Sequence, residues 1–302
     1  PSLLNSIGNE AFYETSLTSI TFSENNNHLS IGQSSFKDIL TLTQATIHAK
    51  SIDKSAFQGC VNMVVTGISI EENAFLNCYQ LNGPLTVSEY SDKSDDKPVY
   101  TSISGSAFMN SGITAIKLPQ VKTIGGSAFQ NCTKLGPSGT LHAETISSYA
   151  FEGDAKLAFT SIRAKEIQGH AFEKCRVLNA EITLDLNGQI GSSAFADCTL
   201  LKTVKFTEVE ELDIPTYNPV LIDSYLFSVS DHAFYQSGLT SPLVLPLTLN
   251  DIGSYAFAYC PNLESVTIEG TYYVHKYISD HAFYHSALGN NLVIPNTVVS
   301  ID

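Results

Sequence analysis

A phenylalanine, preceded by alanine in every copy but one, returns twelve times along the 302 residues, at Phe12, Phe36, Phe57, Phe75, Phe108, Phe129, Phe151, Phe172, Phe195, Phe234, Phe257 and Phe283. The exception carries Ser35. The intervals are 24, 21, 18, 33, 21, 22, 21, 23, 39, 23 and 26 residues. A period of roughly 20–29 residues holds only one strand and one return segment. Such a unit cannot bury its own apolar side, so each coil needs its neighbours and the product is a solenoid. We therefore expect one solenoid domain over residues 1–302, of about twelve coils rising about 4.8 Å each.

Ahead of each phenylalanine stands Ile-Gly or a close variant, as in IGNEAF (7–12), IDKSAF (52–57), IGGSAF (124–129) and IGSYAF (252–257). After it comes an alternating apolar segment such as LKTVKF or LESVTI. In the latter, Val266 and Ile268 are expected inward and Ser265 and Thr267 outward, the period-two signature of a half-buried strand. Stacked, these segments predict one parallel sheet. The stretch from isoleucine to phenylalanine is too short for a regular helix and predicts a tight 3₁₀-like or extended, irregular return, with small Ala or Ser where coils crowd.

All six cysteines, Cys60, Cys78, Cys132, Cys175, Cys198 and Cys260, lie three residues after a repeat phenylalanine, where other copies have Thr15, Ile39, Ser111, Asp154, Ser237 or Ser286. A disulfide framework would not respect the repeat phase so strictly, whereas a buried thiol is small, apolar and close in size to Ser or Thr. Local bridges between Cys60 and Cys78 or Cys175 and Cys198 stay open, because neighbouring coils bring Cα atoms to about 4.8 Å. No CxxC or Cys-His pair has zinc spacing.

The pattern IGxxAFxxCxxL, followed by a strand and often Pro, is complete in AIKLPQVKTIGGSAFQNCTKL (115–135) and LVLPLTLNDIGSYAFAYCPNL (243–263). It resembles the BspA-type, or Treponema pallidum-type, leucine-rich repeat, and the resemblance covers essentially the whole chain. We expect a right-handed, β-rich leucine-rich-repeat solenoid with a parallel sheet and short irregular or 3₁₀ return segments. The resemblance also implies a place outside the cell or on its surface, and adhesion to extracellular-matrix proteins, glycoproteins or other cells without catalysis. The family has no fixed binding motif, so it transfers no functional residue.

Two long intervals hold insertions, near 88–99 (SEYSDKSDDKPV) and 208–225 (EVEELDIPTYNPVLIDSY). Insertions in a solenoid emerge as loops or small hairpins, where function often resides, and Tyr217 and Tyr225 are candidate binding anchors there. Both chain ends share the repeat phase and carry no polar cap. That predicts a segment of a longer array, with any signal peptide or anchor outside it, or coil-on-coil stacking into filaments.

The formal charge of −14 and a pI near 4.9 argue against nucleic acid and anionic membrane surfaces, which reward clustered Lys and Arg. No run of about 18 apolar residues offers direct membrane insertion. Charged residues make up only 15%, leaving a surface of Ser, Thr, Asn, Gln and Tyr that suits an extracellular setting. Aligning IHAKSI, IKLPQVKTI, LHAETI, IRAKEI and VKFTEV places His48, Lys117, His142, Arg163 and Lys205 in one outward column, with Thr21, Thr86, Thr183 and Thr267 in other copies. On that alignment Lys117, His142 and Arg163 follow one another at about 5 Å, a strip able to receive an acidic partner; the alternative is an ordinary solvated face.

His170, His232 and His281 sit two residues before a repeat phenylalanine and read as exposed turn residues, the last two separated by an intervening coil. Asp92, Ser94 and Asp96 alternate as in a calcium loop but lack its Gly and distal Glu. The sequon at Asn131 lies beside the cysteine column. No GxSxG, P-loop or His-Glu metal signature is present, and no cofactor is expected. The expected function is non-catalytic, extracellular or cell-surface protein binding; the alternative is a self-associating structural repeat.

Overall fold

A computed structural model describes residues 4–21, 29–42, 44–60, 64–79, 81, 84–87, 90–91, 98–99, 101–118, 121–184, 189–206, 227–246, 248–269, 276–289 and 291–302. They form two compact units, Pro1–Ala143 with Tyr149–Leu157, and Glu144–Ser148 with Ala158–Asp302. Each unit is a stack of parallel-strand coils without helices among the described residues.

Two parallel ladders run through each stack, where the strand pattern predicted one. The added ladder is made by the isoleucine ahead of each turn. In the first unit Ile7, Ile31, Ile52, Ile70, Ile103 and Ile124 pair in succession. In the second, Ile167, Ile190, Val229, Ile252, Ile278 and Ile301 do the same. The expected ladder follows each turn, pairing Val65 with Leu85 and Leu85 with Ile116 in the first unit. In the second unit Ile162, Ile182 and Val204 pair in turn, as do Leu243, Val266 and Leu292. Where the intervening chain is short, one strand serves both ladders, as Gln44–Ile52 and Ala158–Ile167 do.

The return turn is tied coil to coil. Around Phe57, the N–H groups of Ser55, Phe57 and Gly59 donate to Glu72 O, Ala74 O and Leu76 O of the next coil at 3.1, 2.8 and 3.0 Å. The alternate amides, on Ala56, Gln58 and Cys60, donate three residues back inside the turn. Those inner bonds are the 3₁₀-like element expected, but a continuous 3₁₀ run spends every amide on itself. The reversal comes from left-handed residues two before and two after each phenylalanine. All twelve copies have both, from Glu10 and Glu14 to His281 and His285, with Gly59 and Gly153 the two glycines among them. A left-handed side-chain-bearing residue costs about 1–2 kcal/mol, which the coil-to-coil bonds and the packing beneath must offset.

Beneath the turns lies a phenyl column. In the first unit Phe12, Phe36, Phe57, Phe75, Phe108, Phe129 and Phe151 stack at 4.9–5.3 Å, within 10° of parallel. In the second, Phe172, Phe195, Phe234, Phe257 and Phe283 stack at 5.3 Å. The spacing is that of the coils, so the backbone ladder sets the ring contact. The preceding alanines are buried from Ala56 to Ala282, whereas Ala11, in the first coil, is exposed. Gly125 is needed because a Cβ there would lie 2.6 Å from Gly105 N. Ser35, in an alanine position, is fully buried and its Oγ has no hydrogen-bond partner. Ser35→Ala is expected to stabilise the chain by about 1 kcal/mol, read as a higher urea midpoint; a lower midpoint would contradict this packing.

In the first insertion Tyr90–Ser91 pairs antiparallel with Pro98–Val99, a small hairpin. Asp92, Ser94 and Asp96 lie outside the described residues, as does the second insertion at 208–225 with Tyr217 and Tyr225.

Candidate functional site

The cysteine column is structural chemistry. All six thiols are buried, and no disulfide joins them. Cys60 Sγ donates to Phe36 O at 2.9 Å, Cys78 to Phe57 O and Cys132 to Phe108 O at 3.0 Å. Cys198 does the same to Phe172 O at 3.0 Å and Cys260 to Phe234 O at 3.2 Å. These five thiols each bond the preceding coil's phenylalanine carbonyl, and Phe57 O, Phe108 O, Phe172 O and Phe234 O also accept from an amide of their own turn. Ser111 and Ser237 continue the column through contacts with Cys132 and Cys260 at 3.4 and 3.3 Å. Burial pushes the Cys60 thiol up to about 12 and raises Cys78, Cys132, Cys198 and Cys260 as well, which disfavours their thiolates at neutral pH.

Among the described residues, Asp154 and Lys276 are buried charged residues that break the apolar rule. Asp154 occupies the cysteine position, is fully buried, and neither carboxyl oxygen has a hydrogen-bond partner. Burial raises its acid well above the usual carboxylate range, with a smaller opposing pull from the Cys132 backbone amide. Lys276 takes an inward strand position and donates from Nζ to Leu249 O at 2.6 Å. Burial lowers its ammonium to about 8, opposed by Glu269.

The expected basic column is only partly in line. In the second unit Arg163, Thr183 and Lys205 share one row of the ladder, all exposed or half-exposed. Lys205 Nζ meets Glu181 at 2.9 Å and, nearby, Lys165 meets Glu144 at 3.1 Å, so the face is laced with both signs. In the first unit the backbone row runs His48, Thr66, Thr86, Lys117, and Thr21 is level with Thr46 rather than His48. Lys117 and His142 are both exposed but are not level. Thr114 O accepts from Gly136 N, and Ile116 N donates to Ser138 Oγ, which sets Lys117 beside Ser138 and Gly139. The expectation of Lys117 next to His142 is thereby corrected: IKLPQVKTI is longer than LHAETI, so matching their first residues does not give the register.

The turn surface of the second unit holds a constellation that the sequence reading did not assemble. His232, Tyr255 and His281, each two residues before its phenylalanine, stack at 5.1 and 4.9 Å. Tyr259 stacks on His285 at 5.3 Å on the other side of the phenylalanines. Tyr284 packs edge-on against Tyr255, Tyr259, His281 and His285 at 4.3–6.2 Å, and Tyr235 against Tyr259 at 5.4 Å. Tyr259 and Tyr284 remain 38% and 41% exposed although each is wedged between other rings. His232 and His281 are indeed turn residues with a coil between them, and that coil fills the gap with Tyr255.

The family model described as BspA type leucine rich repeat region (6 copies) matches residues 1–95, 65–178, 101–216 and 216–302. The chain belongs to the BspA-type leucine-rich repeat family. Among solved structures, a leucine rich cell surface protein from Faecalibacterium prausnitzii A2-165 is 20% identical, with 96% of this chain and 82% of that one covered and a TM-score of 0.41. A leucine-rich repeat protein from Bacteroides ovatus ATCC 8483 is 18% identical over 97% of this chain and 70% of that one, with a TM-score of 0.54; that likeness shows a shared fold. No curated protein matches the chain.

In this BspA-type array no group of three or more His, Cys, Asp or Glu among the described residues is placed to hold a metal ion. No described helix is long and apolar enough to cross a membrane. Asn131 is exposed on its turn, with Oδ1 lying over Gly153 where a Cβ would approach to 2.6 Å.

Proposed function

We propose that the chain is a non-catalytic, extracellular or cell-surface protein-binding domain, adhesin-like in action. The observation that carries this reading is the register of the strand faces: outward residues stand level from coil to coil, as Arg163, Thr183 and Lys205 do. A face built this way offers many modest polar contacts at coil spacing, the arrangement by which repeat proteins meet extended partners. Arg163 and Lys205 are the binding candidates on the second unit's face, Lys117 and His142 on the first unit's, and Tyr217 and Tyr225 in the second insertion. The partner class is an extracellular protein or glycoprotein of host matrix or of another cell.

The test is surface plasmon resonance against immobilised matrix proteins and mucin glycoproteins. Arg163→Glu with Lys205→Glu is expected to weaken binding to an acidic partner at least fivefold without moving the melting temperature, because both side chains are exposed. Unchanged affinity for every bound partner removes the row from consideration, and binding to none of them contradicts the adhesin reading.

A further inference from the structure

Two tyrosines of the ring cluster on the second unit's turns sit where the backbone disfavours bulky side chains. His232, Tyr255, Tyr259, His281 and His285 hold φ of 57°, 55°, 56°, 56° and 51°. In this left-handed region Gly, Asn, Asp and His are favoured, so among these five Tyr255 and Tyr259 are the outliers. Several other coils use Gly or Asn at the same positions, as with Asn73, Asn77, Gly59 and Gly153, while Tyr149 and His170 stand singly on their own turns. In the coils of Phe257 and Phe283 both left-handed positions carry rings. Strain of this kind, kept where a less costly residue would serve the fold, points to use of the side chains. The rings hold one another in place, so little conformational entropy remains to be lost when a partner docks, and tyrosine is a preferred anchor of protein interfaces.

The charge around the rings says what the partner brings. Residues 227–302 contain Asp231, Asp251, Glu264, Glu269, Asp280 and Asp302 but no Arg and one Lys, Lys276, which is buried. Asp231 and Asp280 adjoin the two ends of the His232–Tyr255–His281 stack. Asp231 Oδ1 accepts from Ser254 N at 2.8 Å, and Asp280 Oδ1 lies 2.5 Å from His281 Nδ1. Electron-rich tyrosine rings bordered by carboxylates, with no Arg and no exposed Lys in residues 227–302, suit guanidinium and ammonium groups.

We infer that the turn surface formed by Tyr235, Tyr255, Tyr259 and Tyr284, bordered by Asp231 and Asp280, docks an arginine- or lysine-bearing extended segment of a partner protein. This rests on the protein-binding reading above but names a different face and the opposite partner charge. Cationic side chains lie against the tyrosines while the two aspartates pair with them at the rim.

The probe is a fluorescein-labelled dodecapeptide alternating Arg and Gly, with Gln-Gly and Glu-Gly versions as controls, followed by fluorescence anisotropy. The Arg peptide is expected to bind, and Tyr259→Ala with Tyr284→Ala to weaken it about tenfold, from two lost cation–ring contacts and their packing. Asp231→Asn with Asp280→Asn should weaken it severalfold, and Tyr259→Phe with Tyr284→Phe should leave it nearly intact, since the ring face is kept. The phenylalanine and asparagine variants keep the test valid should the alanine variant fold poorly. Equal binding of the Arg and Gln peptides would overturn the inference. So would insensitivity to the ring and aspartate variants, or ring-dependent binding of a neutral oligosaccharide such as lacto-N-tetraose in place of the Arg peptide. The two proposals fail separately: matrix-panel binding untouched by the ring variants sinks this inference alone, while Arg-peptide binding with an empty panel sinks only the adhesin reading.

Discussion

Replacing Phe129 with alanine is expected to lower stability by about 3–5 kcal/mol, the range for removing a buried phenyl ring. Phe129 is fully buried and touches ring neighbours on both sides, Phe108 at 5.3 Å and Phe151 at 5.2 Å. A cavity there cannot be closed by one neighbour moving, because the flanking residues are tied coil to coil by backbone bonds such as Phe108 N to Ala128 O at 2.7 Å. In a repeat array each coil owes its stability to its neighbours, so the loss should show as local opening around residues 108–151 in hydrogen exchange as well as in the urea midpoint. Phe12→Ala provides the contrast: Phe12 is only partly buried and stacks on Phe36 at 5.0 Å, so its cost should be clearly smaller. Equal costs for the two would mean that the column is not a continuous packed core.

Replacing Asp154 with cysteine is expected to raise stability by about 2–3 kcal/mol, the cost of a buried carboxyl left without partners. The substitution restores the residue that Cys132 represents one coil earlier, where Sγ reaches Phe108 O at 3.0 Å. A pH signature accompanies it. Asp154 has its acid raised in the folded chain, chiefly by burial, so the folded state holds a proton that the unfolded state releases. That contribution is fully present below the ordinary carboxyl range and is lost as pH rises through the folded-state value. The wild-type chain should therefore lose stability relative to Asp154→Cys as pH rises from about 4 upward, by urea titration at several pH values. Parallel pH curves for the two proteins, or a less stable cysteine variant, would refute the assignment of Asp154 as a buried neutral acid.

The phenyl column was legible because one residue type repeats at one phase, and the fixed place of Cys60, Cys78 and Cys132 after it already implied a buried column. The left-handed turn was not read, although its signal was there: Ser34, Ser55, Asn73, Asn77, Gly59 and Asp38 are residues of the kind that tolerate that conformation. Their alternation yields the coil-to-coil bonds that a 3₁₀ return would lack. The ladder of Ile31, Ile52 and Ile70 was seen as a motif but not as strand, since two or three residues are too few to show alternation. Lys117 was set beside His142 because Ile116 and Leu141 were matched at the start of segments of unequal length, whereas the bond from Ile116 N to Ser138 Oγ brings Ile116 to Ser138 instead. The ring cluster was missed because its members spread from His232 to His285 and meet only when coils are superposed. Reading the residues on both sides of Phe234, Phe257 and Phe283 as columns would have found it.

The central claim is that successive short coils share one interior in which the thiols point inward and bond to the phenylalanine carbonyls. Thiol titration with a polar disulfide reagent, without reductant, tests it most directly. The account predicts no appreciable reaction of the native chain, since all six cysteines are buried, and six thiol equivalents once denaturant is added. Rapid native labelling, or fewer than six equivalents after denaturation, would contradict it.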